Sequence, residues 1–122
     1  MDVKISFLNG YLKENVFMSQ LEGFFVKGQE QKVCKLIKSL CGLKQAPRAW
    51  YEKLTELILK LNFKHYDIDD ATFFVKKVGK TVVYIVVYVD DLLMRGKNES
   101  YIVSIKKELR KKILMTNLGY VH

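Results

Sequence analysis

The residues that most invite a chemical reading are Asp90 and Asp91, two adjacent carboxylates that directly follow the eight apolar residues Val82–Val89. Adjacent like charges repel, and burial beside so apolar a run raises the cost unless a cation or several hydrogen-bond donors compensate. Two readings stay open. One is an Asp-rich hairpin turn; the other is part of a divalent metal site, because Mg²⁺ takes hard carboxylate oxygens and keeps water and phosphate as its remaining shell. A third carboxylate would strengthen the metal reading. Asp2 is the candidate, since it opens an extended segment that could lie beside the hairpin, and its plainer alternative is a solvated terminal side chain.

Other polar residues carry less. Asp67, Asp69 and Asp70 lack the Gly and the distal Glu of an EF-hand loop, so they read as the polar approach to a strand. Cys34 and Cys41 stand seven apart with no further cysteine. That suits neither a structural zinc site nor a disulfide framework, and they read as reduced thiols inside a cell. Lys44 and Arg48 could meet phosphate, Arg bidentately, or could be solvated surface. His65 and His122 are isolated, and Trp50 reads as core.

The elements that must hold these residues follow from periodicity. Residues 2 to 8 alternate, with Val3, Ile5 and Phe7 on one side and Asp2, Lys4 and Ser6 on the other, which predicts a strand. Asn9-Gly10 predicts a turn. Val16-Phe17-Met18 and Val33 to Leu36 are short candidate strands around an irregular excursion at 19 to 32, with a turn at Lys27-Gly28. Pro47 suits a first helical turn, and Trp50, Leu54, Leu57, Ile58 and Leu61 recur at helical spacing, predicting a helix over 47–61. Residues 73–77 and 81–89 are β-branched and aromatic around Val78-Gly79-Lys80, an antiparallel hairpin whose nearly all-apolar second strand belongs in the middle of a sheet. Asp90-Asp91 then forms the tip of a second hairpin running to residue 94. Ile102, Ile105, Leu109 and Ile113 predict a helix over 99–113 capped by Asn98 or Ser100. The expected class is therefore α+β, an antiparallel sheet with both helices on one face.

Composition sets the outer bounds. A chain of 122 residues with 49% hydrophobic residues, 7 Phe, 7 Tyr and 1 Pro can bury a core as a single domain, and disordered, collagenous and low-complexity classes are excluded. The longest apolar run is less than half of a membrane helix, and the N-terminus lacks the features of a secretory signal. A net charge of +8 favours polyanionic partners.

At this point the residues resemble a known family. Asp2-Val3-Lys4 with Phe7-Leu8-Asn9-Gly10, the segment SLCGLKQAPRAW at 39 to 50, Tyr88-Val89-Asp90-Asp91, and Met115-Thr116-Asn117-Leu118-Gly119 follow, in order, the reverse transcriptase of copia-type long-terminal-repeat retrotransposons. The resemblance implies a polymerase palm and RNA-directed DNA synthesis from dNTPs. In it Asp2, Asp90 and Asp91 would be the carboxylates that hold two Mg²⁺ ions against their mutual repulsion while charge develops on the transferring phosphoryl. Phe7 would lie under the incoming sugar and exclude a 2′-hydroxyl, and Lys4 and Ile5 would offer backbone N–H groups to the triphosphate. Gly42 and Gln45 would form the loop beneath the templating pair, Lys44 and Arg48 would meet phosphate, and Tyr88 would stack against the primer end. Phe7, Tyr88, Gly42 and Gln45 each suit a purely structural role as well.

The resemblance covers this chain but only about half of a polymerase domain. It implies that residues 1–122 are a partial palm, with fingers and a strand upstream and thumb and ribonuclease H regions downstream. Ser6, Leu21, Cys41, Ile113 and Asn117 depart from the family's Ala, Pro, Tyr, Phe and Asp, exchanges that loosen packing where a large side chain is lost. The expectation is a polymerase fragment that is inactive alone, with Mg²⁺ bound weakly or not at all. The alternative is a non-catalytic, element-derived remnant or repurposed domain that binds nucleic acid or protein. Expected partners are an RNA or DNA primer–template, dNTPs and other retroelement polypeptides, with no membrane. The expected location is intracellular, in the cytoplasm first and with the nucleus left open.

Overall fold

A computed structural model describes residues 1–68 and 71–120. Asp69, Asp70 and His122, read above as part of a strand approach and as an isolated histidine, lie outside the described residues. In chain order the elements are β1 (Asp2–Val3), a 3-10 turn (Ser6–Asn9), β2 (Tyr11–Ser19), β3 (Val33–Lys38), α1 (Ala46–Lys60), β4 (Lys64–Ile68), β5 (Ala71–Val78), β6 (Thr81–Tyr88), β7 (Asp91–Gly96), α2 (Glu99–Arg110) and β8 (Met115–Thr116).

Six strands form one sheet in the order β4-β5-β6-β7-β1-β8, with every neighbouring pair antiparallel, while β2 and β3 form a separate two-stranded sheet. The apolar strand β6 is interior, as its composition requires. Alternation along it puts Val83 and Ile85 in the core and leaves Tyr84 and Tyr88 exposed. Phe74 and Leu92 join the buried row from the flanking strands. Trp50, Leu54 and Ile58 of α1 and Ile105 and Leu109 of α2 complete the same core, so both helices cover one face of the sheet. The α+β expectation holds in this respect. No helix among the described residues is long and apolar enough to cross a membrane.

Helix ends follow side-chain chemistry. Pro47 sits in the first turn of α1, and the side chain of Asn98 accepts the Tyr101 N–H (3.1 Å) as the N-cap of α2. Beyond α1, Lys76 on the sheet donates from Nζ to the Leu61 carbonyl (2.6 Å). Its ammonium also stands 5.7 and 5.5 Å from the Phe63 and Tyr101 rings. A cation there offsets the negative helix end.

Several elements differ from the sequence expectation. The strand expected over residues 2 to 8 stops at Val3. Lys4 N–H donates to the Leu114 carbonyl (3.0 Å), Ile5 turns into the left-handed region (φ 52), and Ser6–Asn9 coil as 3-10. The alternation is thereby inverted, since Ile5 is exposed at 59% while Ser6 is buried at 5%. Gly10 serves close approach rather than a left-handed turn: its φ is −79, and a Cβ there would stand 2.6 Å from Ala49 C and 2.7 Å from Trp50 N. β2 is longer than Val16-Phe17-Met18, and β4 and β8 are strands that periodicity did not predict. α2 ends at Arg110 rather than 113, with Ile113 buried beyond the last turn.

Candidate active site

The site is assembled at one sheet register. β1 and β7 pair antiparallel with Asp2 directly opposite Asp91, and the flanking Met1–Leu92 pair exchanges both backbone hydrogen bonds at 2.7 Å. Asp2 and Asp91 therefore form the non-hydrogen-bonded type of pair, whose side chains share one face and whose Cβ atoms come within roughly 4.5–5.5 Å. Asp90 is the next residue, and its carbonyl accepts the Val3 N–H (3.0 Å). The backbone thus brings three aspartates to the turn end of the β6–β7 hairpin. Two stand on neighbouring strands and one lies in the two-residue turn Val89-Asp90. Asp2 and Asp90 are half-buried and Asp91 is exposed.

That turn is strained. Val89 has φ 54, a region costly for a β-branched residue. It is held from below: the indole Nε1–H of Trp50, itself only 2% exposed, donates to the Val89 carbonyl (2.8 Å). Trp50, read as core from the sequence, is core and also a positioning residue for the carboxylate turn. Nothing in its spacing signals this, because its partner lies 39 positions along the chain.

The 3-10 turn brings Phe7 against the core beside α1. Buried Ser39 fastens it, with Oγ–H donating to the Phe7 carbonyl and N–H donating to the Gly10 carbonyl (2.9 Å). Of the two amides read as triphosphate donors, that of Lys4 is taken by Leu114, while that of Ile5 meets no backbone acceptor among the described residues. Gly42 is exposed in the loop before α1 with φ 91, and nothing stands within 4 Å of where a Cβ would be. Gln45 is the residue at the N-cap of α1, its carbonyl accepting the Ala49 N–H (3.0 Å). Lys44 is exposed. Arg48 Nε donates to Glu52 (3.1 Å), a carboxylate that also pairs with Lys13 (2.7 Å); both cations hold Glu52 below the usual carboxylate range. Tyr88 is 77% exposed and stands opposite Asp91 in the β6–β7 ladder.

The donor chemistry suits Mg²⁺, but the geometry falls short of a closed site. Among the described residues no three His, Cys, Asp or Glu side chains converge closely enough to hold a metal ion. The backbone brings Asp2, Asp90 and Asp91 together, and their side chains do not gather around one point.

Comparison with known proteins agrees with the order of motifs. The family model described as reverse transcriptase (RNA-dependent DNA polymerase) matches residues 1–122. The chain is 40% identical over 119 residues to the retrovirus-related Pol polyprotein from transposon TNT 1-94 of Nicotiana tabacum, covering 98% of this chain and 9% of that protein. It is 47% identical over 98 residues to the retrovirus-related Pol polyprotein from transposon RE1 of Arabidopsis thaliana, covering 80% of this chain and 7% of that one. A putative transposon Ty5-1 protein of Saccharomyces cerevisiae is 33% identical over 121 residues, 99% of this chain and 39% of the yeast protein. The chain thus spans less than a tenth of the two plant polyproteins. No solved structure matches it. With the family model covering every residue, and with the backbone bringing the three motif aspartates to one end of the sheet, the chain belongs to the reverse transcriptase (RNA-dependent DNA polymerase) family, among its copia-type retrotransposon members.

Proposed function

We propose that this chain is the carboxylate-bearing palm portion of an RNA-directed DNA polymerase, a part that does not catalyse nucleotidyl transfer by itself. The observation that supports this most directly is the register of Asp2 opposite Asp91 with Asp90 alongside. Hard oxygens on two adjacent strands are the donors a pair of Mg²⁺ ions needs. The ions would neutralise the triphosphate and lower the barrier to attack by a primer 3′-hydroxyl. The carboxylates do not yet fit such a pair, because they remain spread over a strand edge and a turn. The rest of the polymerase, fingers and thumb included, would draw them together.

In this reading the exposed ring of Tyr88 faces the primer end and Phe7 underlies the incoming sugar. The Ile5 amide faces the triphosphate, and the Lys4 side chain lies at its margin. Gly42 and Gln45 shape the loop under the template, and Lys44 and Arg48 contact backbone phosphate. Arg48 must then exchange its Glu52 partner for phosphate. Partners are a primer–template and dNTPs, met inside a cell. Mn²⁺ titration followed by paramagnetic broadening tests the metal assignment. Resonances of Asp2, Asp90 and Asp91 should broaden first, at millimolar ion, and Asp2→Asn should weaken the effect. Broadening centred elsewhere would reassign the chain to its second reading, a basic remnant that binds nucleic acid without metal chemistry, which the spread carboxylates and the +8 charge favour.

A further inference from the structure

His65, isolated in the sequence, has polar company in the fold. It lies on β4, the edge strand separated from β1 by β5, β6 and β7, so its surroundings are remote from the aspartates and from Met1. Asp67 follows two residues on, and strand alternation puts both side chains on one face. The neighbouring β5 sets Phe74 opposite His65 and Thr72 opposite Asp67, and α1 contributes Tyr51.

Two oxygens converge on one nitrogen. The Tyr51 hydroxyl stands 3.0 Å and the Asp67 carboxylate 3.1 Å from Nε2 of His65. A ring nitrogen has one in-plane bonding direction, so a proton there points at one of these oxygens at the expense of the other. A metal ion on Nε2 meets both. With bonds of about 2.0–2.1 Å to nitrogen and oxygen, the donors around a tetrahedral zinc ion stand about 3.3–3.4 Å apart, so the shell requires an opening of only a few tenths of an ångström.

The donors are held in place by their neighbours. The half-buried His65 ring stacks on buried Phe74, with centroids 5.0 Å apart and planes at 26°. Thr72 Oγ1 lies 3.3 Å from the Tyr51 hydroxyl, where it accepts the phenol hydrogen and leaves the oxygen lone pairs for Nε2 or an ion. Asp67 is the exposed member, and its carboxylate makes the small adjustment. Imidazole with carboxylate and phenol oxygens suits Zn²⁺ better than Mg²⁺, which takes oxygen donors. The third donor is a phenol, which is why no triplet of His, Cys, Asp and Glu among the described residues marks the place.

We propose that His65, Asp67 and Tyr51 form a Zn²⁺ site, with water in the fourth position, that clamps the edge strand β4 to α1. It is separate from Asp2, Asp90 and Asp91 and takes no part in nucleotidyl transfer.

The test titrates ZnCl₂ into the purified, ¹⁵N-labelled 122-residue chain and reads the imidazole nitrogens of His65 directly. Coordination should move the Nε2 resonance far more than Nδ1, and Zn²⁺ should slow hydrogen exchange at the β4 amides. A tenfold excess of Mg²⁺ should not reverse either change, and His122→Ala should leave both intact. Asp67→Asn and Tyr51→Phe should each weaken binding by at least the roughly 10–100-fold that loss of a group supporting a metal ligand costs. Asp67 is exposed, so Asp67→Asn should melt like the parent, and its result stands even where Tyr51→Phe loosens the packing. A His65 Nε2 resonance that stays fixed at millimolar Zn²⁺ overturns the proposal. So does unchanged β4 exchange at saturating ion, or equal affinity in Asp67→Asn, which would show a lone histidine taking up zinc.

Discussion

The indole N–H of Trp50 and the carbonyl of Val89 are 2.8 Å apart, which ties the buried face of α1 to a turn whose backbone has φ 54 at a valine. The strain and its restraint sit one residue before Asp90. Trp50→Phe keeps most of the packing and deletes the bond, so urea unfolding should show a loss of roughly 1–2 kcal/mol, with faster exchange at the Asp90 and Asp91 amides. Val89→Gly removes the steric cost from an exposed site and should be neutral to stabilising by up to about 1 kcal/mol. A loss of 2 kcal/mol or more at Val89→Gly would mean that the valine side chain, not the tryptophan, holds the turn.

Gly10 and Gly42 separate two reasons for glycine. Gly10→Ala pushes a methyl into the α1 backbone and should cost roughly 1–3 kcal/mol or more by overpacking. Gly42→Ala meets open space and should cost only the left-handed penalty, about 1–2 kcal/mol, with no change in core packing. Near-ultraviolet dichroism of Trp50 should move for Gly10→Ala and stay fixed for Gly42→Ala.

The long elements are legible in the sequence because their periods are complete. The stripe from Trp50 to Leu61 and the unbroken β6 run each state a buried face, and the Asp90-Asp91 break locates the hairpin tip. The first eight residues misled for a physical reason: alternation over so short a span is overridden by tertiary contacts, here the Lys4–Leu114 bond and the left-handed Ile5. β4 and β8 are short and polar enough that pairing partners, not their own composition, make them strands. The three aspartates could be singled out by type, but the register of Asp2 against Asp91 and the Trp50 bond under the turn depend on partners far along the chain.

Acid should weaken the fold modestly. Hydrogen bonds from Lys13 and Arg48 to Glu52, from Lys60 to Glu56 and from Lys111 to Glu108, with their charges, hold these carboxyls below the ordinary glutamate value of 4.5. A depressed folded-state pKa contributes stability above the unfolded value, and that contribution is lost as pH falls below 4.5 through the lower folded value. All four pairs are at the surface, so 1 M NaCl should flatten the effect. Urea midpoints that rise between pH 5 and pH 3 would contradict these pairings.

Duplex binding should be weak, independent of sequence and steeply dependent on salt. If Lys38, Lys44 and Arg48 each neutralise one phosphate, affinity should fall about 40-fold between 50 and 200 mM salt. Lys44→Ala or Arg48→Ala should each lower the logarithmic salt slope by about 0.9. An affinity that stays flat across that range would remove nucleic acid from the list of partners.

The claim that the carboxylates are present but not gathered is tested most directly by primer extension. The purified chain is incubated with a primed RNA template, dNTPs and 10 mM Mg²⁺ or Mn²⁺, beside an Asp90→Asn control. The account predicts no extension above that control from the chain alone. It predicts extension, lost on Asp2→Asn or Asp90→Asn, when family fingers and thumb segments are restored. Robust dNTP incorporation by the 122-residue chain alone, abolished by Asp90→Asn, would contradict it.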